Sequence, residues 1–148
     1  MTRILVTGGC GFIGSHVVDL VSGSEHDEVW VVDDLSTGAN KPPENVPVRI
    51  LDISQGEVTL MNIFEELKPQ VVLHLAAQAS IFESERRPER DMAVNVIGTL
   101  NLLTCARAVG SIHRFVLTST SAVYEYSAKR ALTERSKTKP ESPYGISK

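Results

Sequence analysis

With 148 residues, 42% of them hydrophobic and 22% charged, the chain can bury the core of one domain and is too apolar for a disordered tail. A net charge of −3 without a basic block argues against nucleic acid as a partner, and no apolar run approaches the roughly 20 residues of a membrane span. Residues 1–20 read as fold rather than leader, so the cytoplasm is the expected address. Cys10 and Cys105 are the only cysteines and lack metal-ligand spacing, so neither a metal site nor a disulfide framework is expected.

The run Ile4-Leu5-Val6 reads as a short buried strand, and Ser15 to Val21 has the apolar spacing of a helix. Between them stand Gly8, Gly11 and Gly14. A strand-to-helix turn that aims backbone N–H groups at a pyrophosphate needs a first residue free to take positive φ and a second without a Cβ where the ligand passes. Gly14 then lets the helix pack closely, and the helix N-terminus favours an anion. The spacing is G-x-x-G-x-x-G, not the more familiar G-x-G-x-x-G.

A second apolar run, Val29 to Val32, ends at Asp33, nineteen residues after Gly14. A carboxylate there meets the adenosine ribose hydroxyls and repels the extra phosphate of NADP, so NAD is the expected cofactor. The alternative is that Asp33-Asp34 only opens a polar turn into Ser36-Thr37-Gly38.

Leu35 to Pro47 reads as an exposed connection, Val48 to Leu51 as a short strand ending at Asp52, and Glu57 to Leu67 as a helix stopped by Pro69. Val71 to Leu75 is a continuous apolar strand running into the small residues Ala76-Ala77-Gln78-Ala79-Ser80. Asp91 to Val109 has the longest helical pattern, with Met92, Val94, Val96, Leu100, Leu103 and Val109 expected inside and Gly110 as its cap. Phe115 to Ser119 is a fifth strand, and Glu125 to Ser142 reads as a polar loop. His16 and His74 read as packing residues, and Cys10 as filler of a small slot in the glycine turn. Alternating strands and helices predict an α/β fold with a doubly wound parallel sheet.

In such sheets ligands gather at the carboxyl ends of the strands, where this chain places its glycine turn, Asp33, Asp52, Ala76 to Ser80 and Ser119-Thr120-Ser121. The last residues add Tyr144 and Lys148, four apart and on one face of a helix. A nearby ammonium favours the phenolate, so the pair suits removal of a hydroxyl proton while hydride leaves the same carbon.

These segments, in order, resemble the N-terminal portion of the extended short-chain dehydrogenase/reductase family, the NAD-dependent sugar-nucleotide epimerases and dehydratases. The resemblance runs through Thr7 to Gly14, Asp33-Asp34-Leu35, Asp52-Ile53, His74 to Ala77, Pro88 with Asp91, Val94 to Thr99, Ser119 to Tyr124, Leu132-Thr133-Glu134 and Ser142 to Lys148. It implies a Rossmann-type NAD-binding fold. It also implies that Tyr144 is the catalytic base, that Lys148 lowers its pKa and holds the nicotinamide ribose, and that Thr120 shares a hydrogen bond with the sugar hydroxyl. For NAD it implies contacts from Gly8, Gly11, Phe12, Ile13 and Gly14, from Asp33 and Asp34, from Asp52 and Ile53, from Leu75, Ala76 and Ala77, and from Asn95 and Lys148. Of these, Asn95 reads as structural or water-binding more than catalytic.

Dehydratases and decarboxylases of the family usually carry acidic residues just after this Thr, whereas Ser121-Ala122 has none. A 4-epimerase-like cycle on a UDP-hexose, with UDP-glucose and UDP-galactose as the pair, is therefore implied. Family members run to about twice this length, so residues 1–148 correspond to an NAD-binding domain, C-terminally truncated, without the half that grips the nucleotide sugar. A homodimer through the long helix is the implied protein partner, and a stand-alone NAD-binding module without turnover is the alternative function. Glu125 departs from the family, which commonly has Gly there.

Overall fold

The structure, a computed structural model, describes residues 1–38, 40–126 and 131–148. Among the described residues five parallel strands form a sheet: β1 (Thr2–Thr7), β2 (Asp27–Asp33), β3 (Val48–Ile50), β4 (Val71–His74) and β5 (Arg114–Leu117). Their order is β3-β2-β1-β4-β5. The chain winds outward from β1 through β2 to β3, then restarts on the other side of β1 with β4. That reversal makes the crevice between the carboxyl ends of β1 and β4 the natural ligand position.

Side-chain alternation along β1 divides the core in two. Leu5 faces Leu60, Phe64, Val72 and Leu102 on the side covered by α2 (Glu57–Leu67) and the long helix, whereas Ile4 and Val6 meet Cys10, Val18 and Val31 on the side of α1 (Phe12–Ser22). Helix α2 keeps the bounds expected from its pattern. It ends where Lys68 turns left-handed at φ 44° and donates its N–H to the Phe64 carbonyl, just ahead of Pro69.

Helix α3 (Ile81–Arg86) is not legible in the sequence. Ser80 caps it by accepting the Glu83 N–H on Oγ at 3.2 Å. The long helix α4 runs over Pro88–Val109 and contains a π turn at Ala93–Ile97. Its inner face also departs from expectation. Met92, Leu100 and Leu103 are exposed, and Asp91, Asn95, Leu102, Cys105 and Ala106 are buried. The π turn inserts one extra residue, so the apolar positions before and after it do not share one 3.6-residue phase. By length and composition alone α4 could cross a membrane, contrary to the sequence reading. Here its inner side packs with Leu5, Leu60, Phe64 and Val72, as a core helix does.

Near the end of the chain, a 3-10 turn at Ser121–Val123 precedes the short helix α5 (Pro143–Ser147). The polar loop expected at 125–142 lies partly outside the described residues. Its described parts include an antiparallel bridge between Tyr124 and Thr138, and Glu125 donates its N–H to the Lys137 carbonyl at 2.8 Å.

Candidate active site

Gly8 leaves β1 with φ 72°, and a Cβ on it would stand 2.6 Å from the Ala76 nitrogen. The turn after β1 and the loop after β4 therefore touch backbone to backbone. A Cβ on Gly14 would collide with the Gly8 carbonyl, so the first turn of α1 is pressed against the glycine turn itself. Gly11 occupies the N-cap of α1 and makes no side-chain cap hydrogen bond. The first N–H groups of α1, from Phe12 to Gly14, are left for a ligand at the positive end of the helix dipole.

Asp33 is buried at the end of β2. Its Oδ2 accepts the Cys10 N–H at 2.9 Å and its Oδ1 the Leu35 N–H at 2.8 Å. A carboxylate offers about four acceptor positions, so two remain for hydroxyl donors while the backbone fixes the orientation. Asp34 and Asp52 are set by a shared device. Each places Oδ1 on the serine two residues ahead, with the Ser36 or Ser54 N–H at 2.9 Å and the hydroxyl at 2.6 Å. The Oδ2 atoms of both face Arg90, each 3.6 Å from a guanidinium nitrogen. The Ser54 hydrogen bonds and Arg90 hold the Asp52 carboxyl below its usual range, outweighing partial burial.

A cleft of about 710 Å³ joins these groups. From the turn it is lined by Gly8, Gly11, Phe12, Ile13 and Gly14, and from the tips of β2 and β3 by Asp33, Asp34, Asp52 and Ile53. Leu75, Ala76 and Ala77 complete the wall from the β4 side. The volume lies in the range of cofactor pockets. The residues fit a dinucleotide on structural grounds, because Gly8 and Gly14 have no room for a Cβ and Gly11 puts no side chain between the helix end and the cleft.

The remaining site residues lie beside this cleft and not in its wall. Asn95 sits at the centre of the π turn and is buried. Its Oδ1 accepts the Gln78 N–H at 2.8 Å, and its Nδ2 donates to the Gln78 carbonyl at 3.0 Å and to Ser147 Oγ at 2.9 Å. It pins the loop after β4 to α5 through the middle of α4. Asp91 is fully buried beside it. Its Oδ1 accepts from Gln78 Nε2 at 2.9 Å, and its Oδ2 has no hydrogen-bond partner among the described residues.

Tyr144 lies in the first turn of α5 and Lys148 caps its end, donating its backbone N–H to the Tyr144 carbonyl at 3.2 Å. Burial pulls the Lys148 ammonium below the usual lysine range, and the Asp91 carboxylate opposes that shift. Thr120 caps the 3-10 turn, accepting the Ala122 N–H at 3.3 Å. A Cβ on Gly145 would stand 2.5 Å from the Ala122 carbonyl, so α5 and the turn carrying Thr120 pack directly together. The segments that carry the three residues thus pack together, and Ser119, two residues past β5, donates its hydroxyl to the Lys148 carbonyl at 3.3 Å.

Arg90 and the partners of Asn95 in the lock between the β4 loop and α5 do not stand out in the sequence, although Asn95 itself reads there as structural and Asp91 belongs to the family resemblance. The repeat Asp-x-Ser at 34–36 and 52–54 is the available signal, since paired carboxylates preset by serine call for a cation between them. His74, read as a packing residue, is 1% exposed and hydrogen-bonded on both ring nitrogens.

A parallel sheet with an uncapped glycine turn at its switch point, and a carboxylate at the end of the second strand, defines a Rossmann-type dinucleotide-binding protein. Residues 4–148 match the NAD dependent epimerase/dehydratase family, and the chain belongs to that family. UDP-glucuronic acid decarboxylase 1 of Arabidopsis thaliana is 42% identical over 124 residues, which are 82% of this chain and 27% of that protein. UDP-glucose 4-epimerase of Mycolicibacterium smegmatis is 35% identical over 151 residues, 99% of this chain and 48% of that protein. Among solved structures, UDP-glucose 4-epimerase of Thermotoga maritima with UDP-glucose superposes with a TM-score of 0.91 at 41% identity, covering 99% of this chain and 47% of that one. The UDP-glucose 4-epimerase of Thermus thermophilus in complex with NAD also gives 0.91, at 38% identity, with the same coverage of both chains. The chain spans about half the length of these epimerases.

Proposed function

We propose that this chain is the NAD-binding part of a UDP-hexose 4-epimerase. The observation that carries the reading is the cleft, where the glycine turn, the uncapped end of α1 and Asp33 converge. Its support is the match to NAD-dependent relatives and the neighbouring epimerase structures. Gly8, Gly11, Phe12, Ile13 and Gly14 hold the pyrophosphate, and Asp33 and Asp34 the adenosine ribose. Asp52 and Ile53 flank the adenine, and Leu75, Ala76 and Ala77 line the path towards the nicotinamide. NAD, when bound, accepts a hydride from the sugar and returns it. Tyr144 takes the proton of the 4-hydroxyl, Lys148 favours the phenolate and holds the nicotinamide ribose, and Thr120 hydrogen-bonds the same hydroxyl. Asn95 acts behind them by fixing α5. Re-reduction of the ketone on its other face gives the epimer.

Two free, buried cysteines accord with a reducing, cytoplasmic setting. We also propose that a second copy covers α4, because Ile97, Leu100 and Leu103 form an exposed apolar row on its outer side. Light scattering on the purified chain is expected to give twice the monomer mass.

Calorimetric titration with NAD, followed by a UDP-glucose/UDP-galactose interconversion assay, tests the main reading. NAD binding supports the cofactor assignment, and its absence overturns it. Turnover supports the epimerase assignment. Binding without turnover by these 148 residues favours the stand-alone NAD-binding module. Carbon dioxide release from UDP-glucuronate overturns epimerisation in favour of decarboxylation, the activity named for several relatives.

A further inference from the structure

Three carboxylates, Asp33, Asp34 and Asp52, collect at the β2–β3 end of the cleft. An adenosine seated at that end would meet all three, and of the two arginines that line the cleft among the described residues, Arg87 and Arg90, it is Arg90 that faces Asp34 and Asp52. Arg86 and Arg87 are both paired with Glu83 on α3, at 3.1 and 2.8 Å. Arg90 instead reaches across from the first turn of α4 to the tips of two strands.

We propose that Arg90 is a cofactor-recognition residue: held between Asp34 and Asp52, its guanidinium forms one wall of the adenosine subsite and supplies the flat cation on which the purine ring rests. This rests on the NAD reading of the cleft. The two pairings are long, 3.6 Å each, and the Arg90 side chain is 39% exposed, so they add little to fold stability. Their consequence is positional. Two carboxylates, each preset by its own serine, hold one guanidinium from both sides in the cleft wall. A planar, weakly hydrated cation fixed this way suits the π face of a purine, whereas a lysine ammonium would supply charge without the plane.

The test is calorimetric titration of the full chain and of Arg90→Gln and Arg90→Lys with NAD, ADP-ribose and the hypoxanthine analogue of NAD, alongside melting curves of the ligand-free proteins. Arg90→Gln is expected to weaken all three ligands about tenfold with the melting curve nearly unchanged, and Arg90→Lys to recover only part of the loss. ADP-ribose binding that is unchanged in Arg90→Gln would overturn the proposal. So would a loss for NAD that spares the hypoxanthine analogue, because Arg90 would then act only by orienting Asp52 towards the adenine amino group. Should Arg90→Gln fail to fold, Arg90→Lys decides: wild-type affinity for ADP-ribose overturns the stack, and weakened affinity supports it. Failure of the wild-type chain to bind NAD would instead overturn the cofactor reading itself, and this inference with it.

Discussion

Thr7 Oγ1 and His74 Nδ1 lie 2.7 Å apart between the last residues of two neighbouring strands. On the far side of the ring, Nε2 is 2.8 Å from Thr99 Oγ1, and that hydroxyl donates its single proton to the Asn95 carbonyl at 2.6 Å. Thr99 must then accept from Nε2–H, which leaves Nδ1 to accept from Thr7. Thr7 Oγ1 in turn accepts the Ala76 N–H at 3.3 Å, tying the cofactor loop into the chain. Every donor has an acceptor only while the imidazole is neutral.

Stability should therefore fall in mild acid. Burial first, and the Lys148 charge second, lower the His74 pKa from 6.5 to about 4. The unfolded chain takes up a proton near 6.5, while the folded one resists until about 4. The contribution of neutral His74 is complete above pH 6.5 and is lost as pH falls through that window, by about 3 kcal/mol. Urea titrations between pH 7 and 4 should show the decline in wild type and a flatter profile in His74→Gln. Parallel profiles would refute the assignment.

Gly14→Ala should abolish NAD binding and destabilise the fold. The added Cβ meets the Gly8 carbonyl, which is backbone and cannot swing aside. Overpacking of this kind costs about 1–3 kcal/mol. Thermal melts and NAD titration measure the two effects, and retained affinity would show that the turn can relax.

Asn95→Ala separates the lock from the cleft. It leaves the Gln78 N–H and carbonyl without their partner and cuts the tie to Ser147 Oγ, which keeps its bond to the Tyr144 carbonyl, a loss of about 1–3 kcal/mol. Because Asn95 does not line the cleft, NAD affinity should fall far less than in Gly14→Ala, while the Tyr144 helix loosens. Hydrogen exchange over residues 143–148 would report that loosening; unchanged protection there would count against the lock.

Both thiols should resist alkylation in the native protein. Burial raises the Cys10 and Cys105 pKa values, and the charges of Asp33 and Glu57 respectively push the same way. Iodoacetamide labelling at about pH 8 should become fast only in denaturant. Rapid native labelling at Cys10 would mean that the glycine turn opens.

The strands, the glycine turn, α2 and Asp33 are legible in the sequence because each rests on local chemistry: apolar runs, residues without a Cβ, and a carboxylate at a strand end. The spacing of Tyr144 and Lys148 is also local, since four residues make about one helical turn. Helix α3 leaves no such trace because its Ser80 cap begins only six residues of helix, too few for a period to emerge. Periodicity misplaces the inner face of α4 because the π turn that rotates it follows from tertiary demands, namely Asn95 reaching Gln78 and Ser147 at once. Sequence by itself determined that a dinucleotide fold forms and which strand ends carry its polar groups. Only the tertiary structure decided that Arg90 lies between Asp34 and Asp52, and that His74 bridges β1 to α4. Those partners are 25 to 67 residues apart in the chain, and no local pattern encodes a contact that exists only once the sheet has brought distant strand ends together.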